Sequence, residues 1–190
     1  MIGLLDFFKY PVLRGKTLIV SLLFFALTYA YIGPIIIVDK LGYSPFKSQI
    51  LISAAEISVY PITYCIIDLL PRKKSGQFLM GLASIFTGIL IFVKKPEVCD
   101  KCFEGNMEIA MVFCARFCIS MYFSIFFLYC TELYPLPARA MGFGIGSAAG
   151  SIASTSGQVV MPMIQQMGWN PMILLTFMAV SCIFLVRFLP

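Results

Sequence analysis

The chain has 190 residues, of which 60% are hydrophobic and only 12% charged. A soluble domain carries about 45–50% apolar and about 25% charged residues, so this composition places the chain in a membrane and excludes an ordinary soluble domain. The net charge of +5 does not mark a nucleic-acid binder, because the lysines and arginines sit in short clusters beside apolar runs, the juxtamembrane pattern.

Residues 1–16 read as a cytoplasmic linker. Their LLDFFKYPVLRGK stretch alternates apolar and basic residues, and both a short amphipathic surface helix and a plain linker are compatible with it. A membrane-crossing helix needs about 20 mostly apolar residues, and six stretches qualify. They are Thr17–Val38, Ser48–Leu70, Gln77–Val93, Ile109–Thr131, Met141–Ile164 and Pro171–Leu189. The first is longer than the apolar core of about 7–15 residues in a secretory leader, so it reads as a true span. The loops are short, which makes successive helices antiparallel neighbours. The fold class expected is therefore an all-α membrane protein, a six-transmembrane-helix bundle.

Lysine and arginine counts orient the bundle. Lys9, Arg14, Lys16, Arg72, Lys73, Lys74, Arg139 and Arg187 fall on one side. Lys40, Lys47, Lys94, Lys95 and Lys101 fall on the other, offset by Asp39, Glu97, Asp100 and Glu104. The first side should be cytoplasmic, with both termini there.

Two charges lie inside spans, where they are costly and mark function by default. Glu56 is eight residues into the second span and Arg116 eight residues into the fourth. Each lies about 10–12 Å below the outer helix ends at 1.5 Å rise per residue. Two roles are open: a buried pair that fixes packing, or a cavity lining that meets a polar solute. Tyr29 and Tyr31 in the first span, Tyr60 and Tyr64 in the second, and Tyr122 in the fourth need hydrogen-bond partners at this depth. Tyr29, Tyr64, Tyr122 and Gln158 join Glu56 and Arg116 as candidate cavity residues.

In MGFGIGSAAGSIAST, Gly142, Gly146 and Gly150 recur every four residues. The string lacks the strand that a nucleotide-binding loop requires. It instead predicts a smooth helix face for close helix packing. Pro34, Pro61 and Pro162 should bend their spans. The loop KKPEVCDKCFEGNME holds Cys99 and Cys102, for which a local disulfide and two idle thiols both remain open; two further zinc ligands are not visible nearby. Histidine is absent, which removes the side chain best suited to proton relay near neutral pH. With no nucleophile–base pair or metal cluster visible, no enzyme, metal or cofactor is expected.

The segment YCTELYPLPARAMGFG resembles the stretch after the tenth span of the organic cation/organic anion transporters and the related sugar-porter-like members of the major facilitator superfamily. Glu132, Leu133, Tyr134, Pro135, Arg139 and Gly142 match its pattern, while Leu136 replaces a threonine. ARFCISMYFSIFF resembles the opening of that span, with Arg116 at its basic position. SAAEISVYP resembles the Glu-x-Pro region of the eighth span, with Ser58 in place of proline. DLLPRKKSG resembles the loop between spans eight and nine, with Pro71 in place of glycine. FKYPVLRGKTL resembles the linker before span seven.

The resemblance implies the C-terminal six-span half of the major facilitator fold, moving a small organic solute through a lipid bilayer by alternating access. It implies a cytoplasmic ion-pair gate of Asp68, Arg72, Lys73, Glu132 and Arg139. The first, second, fourth and fifth spans should line the cavity, and the third and sixth should be peripheral. The other half would be a missing N-terminal six-span unit or a second copy, and the plasma membrane is the expected location. The alternative is a non-transporting membrane subunit or partner-binding remnant.

Overall fold

The computed structural model describes residues 11–38, 45–66, 72–92 and 103–188. These form six helices: α1 (Pro11–Val38), α2 (Pro45–Ile66), α3 (Arg72–Phe92), α4 (Phe103–Leu133), α5 (Arg139–Gln166) and α6 (Pro171–Phe188). In hydrocarbon every backbone group must be satisfied within its own segment, which is why a chain this apolar folds as helices. Proline opens α1, α2 and α6, at the position where its missing N–H costs nothing. The protein is an all-α membrane bundle.

Helix ends follow from local chemistry. Pro135 biases Tyr134 away from helical geometry, so α4 stops at Leu133. The chain turns through Pro135–Pro137, closed by the Ala138 N–H donating to the Pro135 carbonyl at 2.9 Å, and α5 starts at once. Past α5, Gly168 takes φ +80°. Its N–H reaches the Gln165 carbonyl and that of Trp169 reaches the Ile164 carbonyl, both at 3.1 Å. This left-handed glycine stop satisfies carbonyls that the helix end would orphan. Asn170 then caps α6, its Oδ1 accepting from the Met172 N–H at 3.2 Å.

Helices α1, α4, α3 and α6 pack each on the next as a closed ring of four. α5 leans on α1, and α2 leans on α4. The ring is sealed by close approaches rather than by hydrophobic force, since lipid tails are as apolar as leucine. Gly33 of α1 sits against Leu175 of α6, and Gly76 of α3 against Tyr122 of α4. The Thr176 hydroxyl of α6 lies 3.2 Å from the Thr87 hydroxyl of α3. Phe24 of α1 meets Phe126, Phe127 and Phe143 edge-on at 4.9, 5.6 and 5.8 Å, tying α4 and α5 to α1.

The glycines of α5 lie on one buried face. A Cβ on Gly146 would meet the Phe24 ring at 2.7 Å, and one on Gly150 the Thr28 hydroxyl at 3.0 Å. Gly142 lies under the ring of Tyr134, the buried tyrosine of the turn. The Tyr134 hydroxyl points to Thr17 Oγ1 at 3.4 Å, and burial pushes its phenol above the usual tyrosine range. Tyr134 thereby holds the α4–α5 turn against the start of α1.

Among the described residues, four helices are long and apolar enough to cross a membrane by length and composition: Leu13–Ile35, Lys73–Ile91, Ala110–Leu133 and Pro171–Phe188. These belong to α1, α3, α4 and α6, the ring. Of the other two, α2 carries Lys47, Glu56 and three serines, and α5 carries four serines, Thr155 and three glutamines.

A Cβ at position 142 would stand 2.6–2.8 Å from three atoms of the Tyr134 ring. Gly142→Ala should therefore overpack this contact and destabilise the fold by about 1–3 kcal/mol. Gly144→Ala, which meets nothing within 4 Å, should be neutral or better. Thermal unfolding of the two variants in detergent checks this, and equal Tm values would contradict it.

Candidate functional site

Arg116 lies in α4, facing α1 and α2. It is 1% exposed, although arginine is almost never buried without a partner. Its Nη2 donates to Glu56 Oε1 of α2, forming an ion pair, and its Nη1 donates to the main-chain carbonyl of Tyr31 in α1. The Tyr31 ring covers the guanidinium, with its centroid 3.5 Å from Cζ. The Tyr31 hydroxyl donates to the same Glu56 oxygen at 2.7 Å. Tyr31 in turn stacks on Phe123, about two helical turns along α4 from Arg116. One polar knot therefore joins three helices, and Tyr31 contributes its ring, its hydroxyl and its backbone to it.

The local sequence makes this possible. Tyr31 precedes Pro34 by three residues, in the stretch where a proline loosens the carbonyls of the preceding turn. Arg116 donates to the Tyr31 carbonyl in this stretch. The two charges differ in access: Glu56 is 33% exposed, so the carboxylate is open at one side of α2 while the guanidinium is sealed.

The other sequence-derived residues fall in different places. Tyr64 is exposed on α2, about two turns from Glu56, with Tyr60 between them and also exposed. Gln158 is exposed on α5, together with Ser151 and Thr155. These hydroxyls donate to carbonyls of their own helix, at 3.1 and 3.0 Å. Tyr29 is buried beneath α5, its ring 3.7 Å from where a Cβ on Gly157 would stand, and stacks on Phe25. Tyr122 is buried against Gly76 and Phe126. Neither Tyr29 nor Tyr122 joins the Arg116 knot; both fill helix interfaces. Tyr31, a midspan tyrosine just before Pro34 that lies outside the candidate cavity residues of the sequence, is central to the knot.

At the other end of the bundle, Glu132 closes α4, Arg139 opens α5 and Lys73 lies in the first turn of α3. Arg139 is half-buried, and its Nε meets no protein acceptor. Asp68 and the Arg72 side chain lie outside the described residues, as do Cys99, Cys102 and residues 1–10 of the linker. The five described cysteines (Cys65, Cys114, Cys118, Cys130 and Cys182) are free thiols.

A bundle of apolar helices around one buried charge knot is an integral membrane protein. Comparison with known proteins gives its kinship. The chain is 31% identical over 166 residues to organic anion transporter 3 of Mus musculus, covering 87% of this chain and 29% of that protein. It is 27% identical over 160 residues to solute carrier family 22 member 6 of Oryctolagus cuniculus, covering 84% and 27%. It is 26% identical over 171 residues to organic cation/carnitine transporter 7 of Arabidopsis thaliana, covering 81% and 32%. No family model matches the chain. The chain is thus a homologue of the organic anion and organic cation transporters of solute carrier family 22, within the major facilitator superfamily. It spans less than a third of the length of these relatives.

The exposure difference within the pair orders the cost of breaking it. Glu56→Ala leaves a fully buried guanidinium without its counter-ion, a loss of about 3–5 kcal/mol. Arg116→Leu leaves a carboxylate that water can still reach, and should cost less. The double variant Glu56→Gln/Arg116→Leu should recover most of the Glu56→Ala loss. Thermal unfolding in micelles reads the order, and a larger loss for Arg116→Leu than for Glu56→Ala would contradict it.

Proposed function

We propose that this chain is one half of an alternating-access carrier for small organic ions, with the Glu56–Arg116–Tyr31 knot as the polar centre of its solute site. The observation that carries this reading is the one-sided access of the pair: Arg116 is sealed at 1% exposure while Glu56 is 33% exposed. A sealed structural pair would bury both charges. An open carboxylate with the exposed aromatics Tyr60 and Tyr64 along the same helix suits a positively charged organic group, through charge and ring-face attraction.

The polar faces support the same side. Between their ends, Lys74 and Arg187 apart, α3 and α6 expose apolar side chains, Phe78, Ile85, Ile89, Phe177 and Phe184 among them, which suit lipid. α2 and α5 expose apolar residues too, such as Ile57 and Ile152, but add Ser58, Tyr60, Tyr64, Ser151, Thr155 and Gln158. Polar faces at membrane depth meet protein or water rather than acyl chains. The first, second, fourth and fifth helices would then line the cavity of a two-half carrier, with a second half opposite. The termini lie on the cytoplasmic side, the plasma membrane is the location, and the Asp68, Arg72, Lys73, Glu132 and Arg139 cluster makes and breaks as the halves rock.

A second reading is favoured by the 31% identity to a protein named as an organic anion transporter. An organic carboxylate would displace Glu56 from Arg116 and take its place. The two readings separate on one variant. In liposomes holding the complete polypeptide that carries this chain, uptake of tetraethylammonium should fall at least about tenfold in Glu56→Gln, the loss expected when a charged hydrogen-bonding partner is removed. A rise in benzoate uptake in that variant would instead support the anion reading. Uptake of neither probe by the unaltered protein would favour the non-transporting membrane subunit.

A further inference from the structure

The seam between α2 and α4 holds more polar atoms than the ion pair uses. Among the described residues, the buried hydroxyls without a hydrogen-bond partner are those of Ser21, Thr63 and Ser120. Arg116 Nε is a further buried donor without one. Three of these four atoms belong to α2 and α4. Thr63 is 7% exposed, Ser120 6% and Arg116 1%.

Their placement follows from helix geometry. Ser120 is four residues past Arg116, one turn along the same face of α4. Thr63 is seven residues past Glu56, two turns along the same face of α2. The two helices are separated by α3 and its two turns, so they run in the same direction. Their register is given by the ion pair, in which Glu56 meets Arg116 at an offset of 60 residues. In parallel helices that offset puts Thr63 level with Phe123, about 4.5 Å along the axis from Ser120. Ser120 lies about 6 Å along it from Arg116.

The orientation of these hydroxyls is unusual for this protein. A serine or threonine in an apolar helix ordinarily donates to a carbonyl of its own preceding turn. Thr17, Ser58, Thr87, Ser124, Thr155 and Thr176 all do so here. Thr63 and Ser120 have the same option and leave it unused. A buried polar atom without a partner costs about 1–3 kcal/mol, so native proteins satisfy such atoms with bound water.

We propose that the α2–α4 seam is a site for bound water: a short file of ordered molecules linking Thr63 Oγ1 and Ser120 Oγ to Arg116 Nε. Water suits this set because it accepts from the guanidinium N–H and both donates to and accepts from hydroxyls. The file gives α2 a wet, exchangeable contact with its one principal neighbour, where the ring helices make dry ones. It also hydrates the hidden side of the ion pair, which lowers the cost of parting Arg116 from Glu56. The site stands on burial and register alone and does not depend on what the protein carries.

A double-mutant cycle in the complete polypeptide tests it. Thr63 and Ser120 share no direct hydrogen bond, so energetic coupling between them requires a mediator. Thr63→Val and Ser120→Ala should each lower Tm by about 2–4 °C, and the double variant should fall by clearly less than the sum. Thr63→Ser, which keeps the hydroxyl, should keep the coupling to Ser120. In a dry seam both replacements would remove an unsatisfied hydroxyl, raising Tm additively; additive shifts of either sign, or coupling lost in Thr63→Ser, overturn the proposal. Replacing chloride by gluconate separates the occupants. Coupling that persists supports water, and coupling that disappears means an anion fills the seam instead.

Discussion

Arg116 is the constraint around which the rest of this bundle is arranged. A guanidinium cannot shed its charge, so burying it in a membrane protein obliges the surroundings to supply a counter-ion and acceptors. Here they come from two other helices: the Glu56 carboxylate from α2, and the Tyr31 carbonyl and ring from α1. Three helices must therefore hold one register at one depth. The position of α2 on α4 is consistent with meeting that demand.

The bundle has a stiff part and a looser part, and the physical causes differ. The ring of α1, α3, α4 and α6 is joined by glycines under larger side chains and by an aromatic hub at Phe24. Close backbone approach maximises dispersion contact where no hydrophobic force acts between helices. α2 has no comparable glycine contact. Its buried face is Ile52, Ala55, Val59 and Thr63, with Glu56 beside them, and it rests on α4. Polar contacts are directional and can be exchanged for contacts with water or solute, whereas interlocked apolar packing has one good arrangement.

The same division shows in the faces turned outward. The ring helices α3 and α6 present phenylalanine and isoleucine, while α2 and α5 mix exposed isoleucines with hydroxyls, an amide and phenols. The turn that carries Glu-Leu-Tyr-Pro serves the fold as well. Tyr134 packs over Gly142 and reaches toward Thr17, fastening the α4–α5 turn to the start of α1.

Much of this architecture was legible in the residues. Apolar run lengths determine where helices form, because the bilayer leaves no other way to satisfy a backbone. Glycines spaced by four in α5 and charges inside the second and fourth spans also declare themselves, since each has a strong local cost. What the sequence by itself could not decide was which side chains meet. Glu56 and Arg116 are 60 residues apart, and their contact depends on the rotation and depth of two helices about their axes. That is why Tyr31 emerged as part of the knot while Tyr29, two residues earlier, turned to α5, and why Tyr122 became packing against Gly76. Helical rotation of about 100° per residue separates neighbours in sequence onto different interfaces, and only tertiary packing selects which interface each one faces.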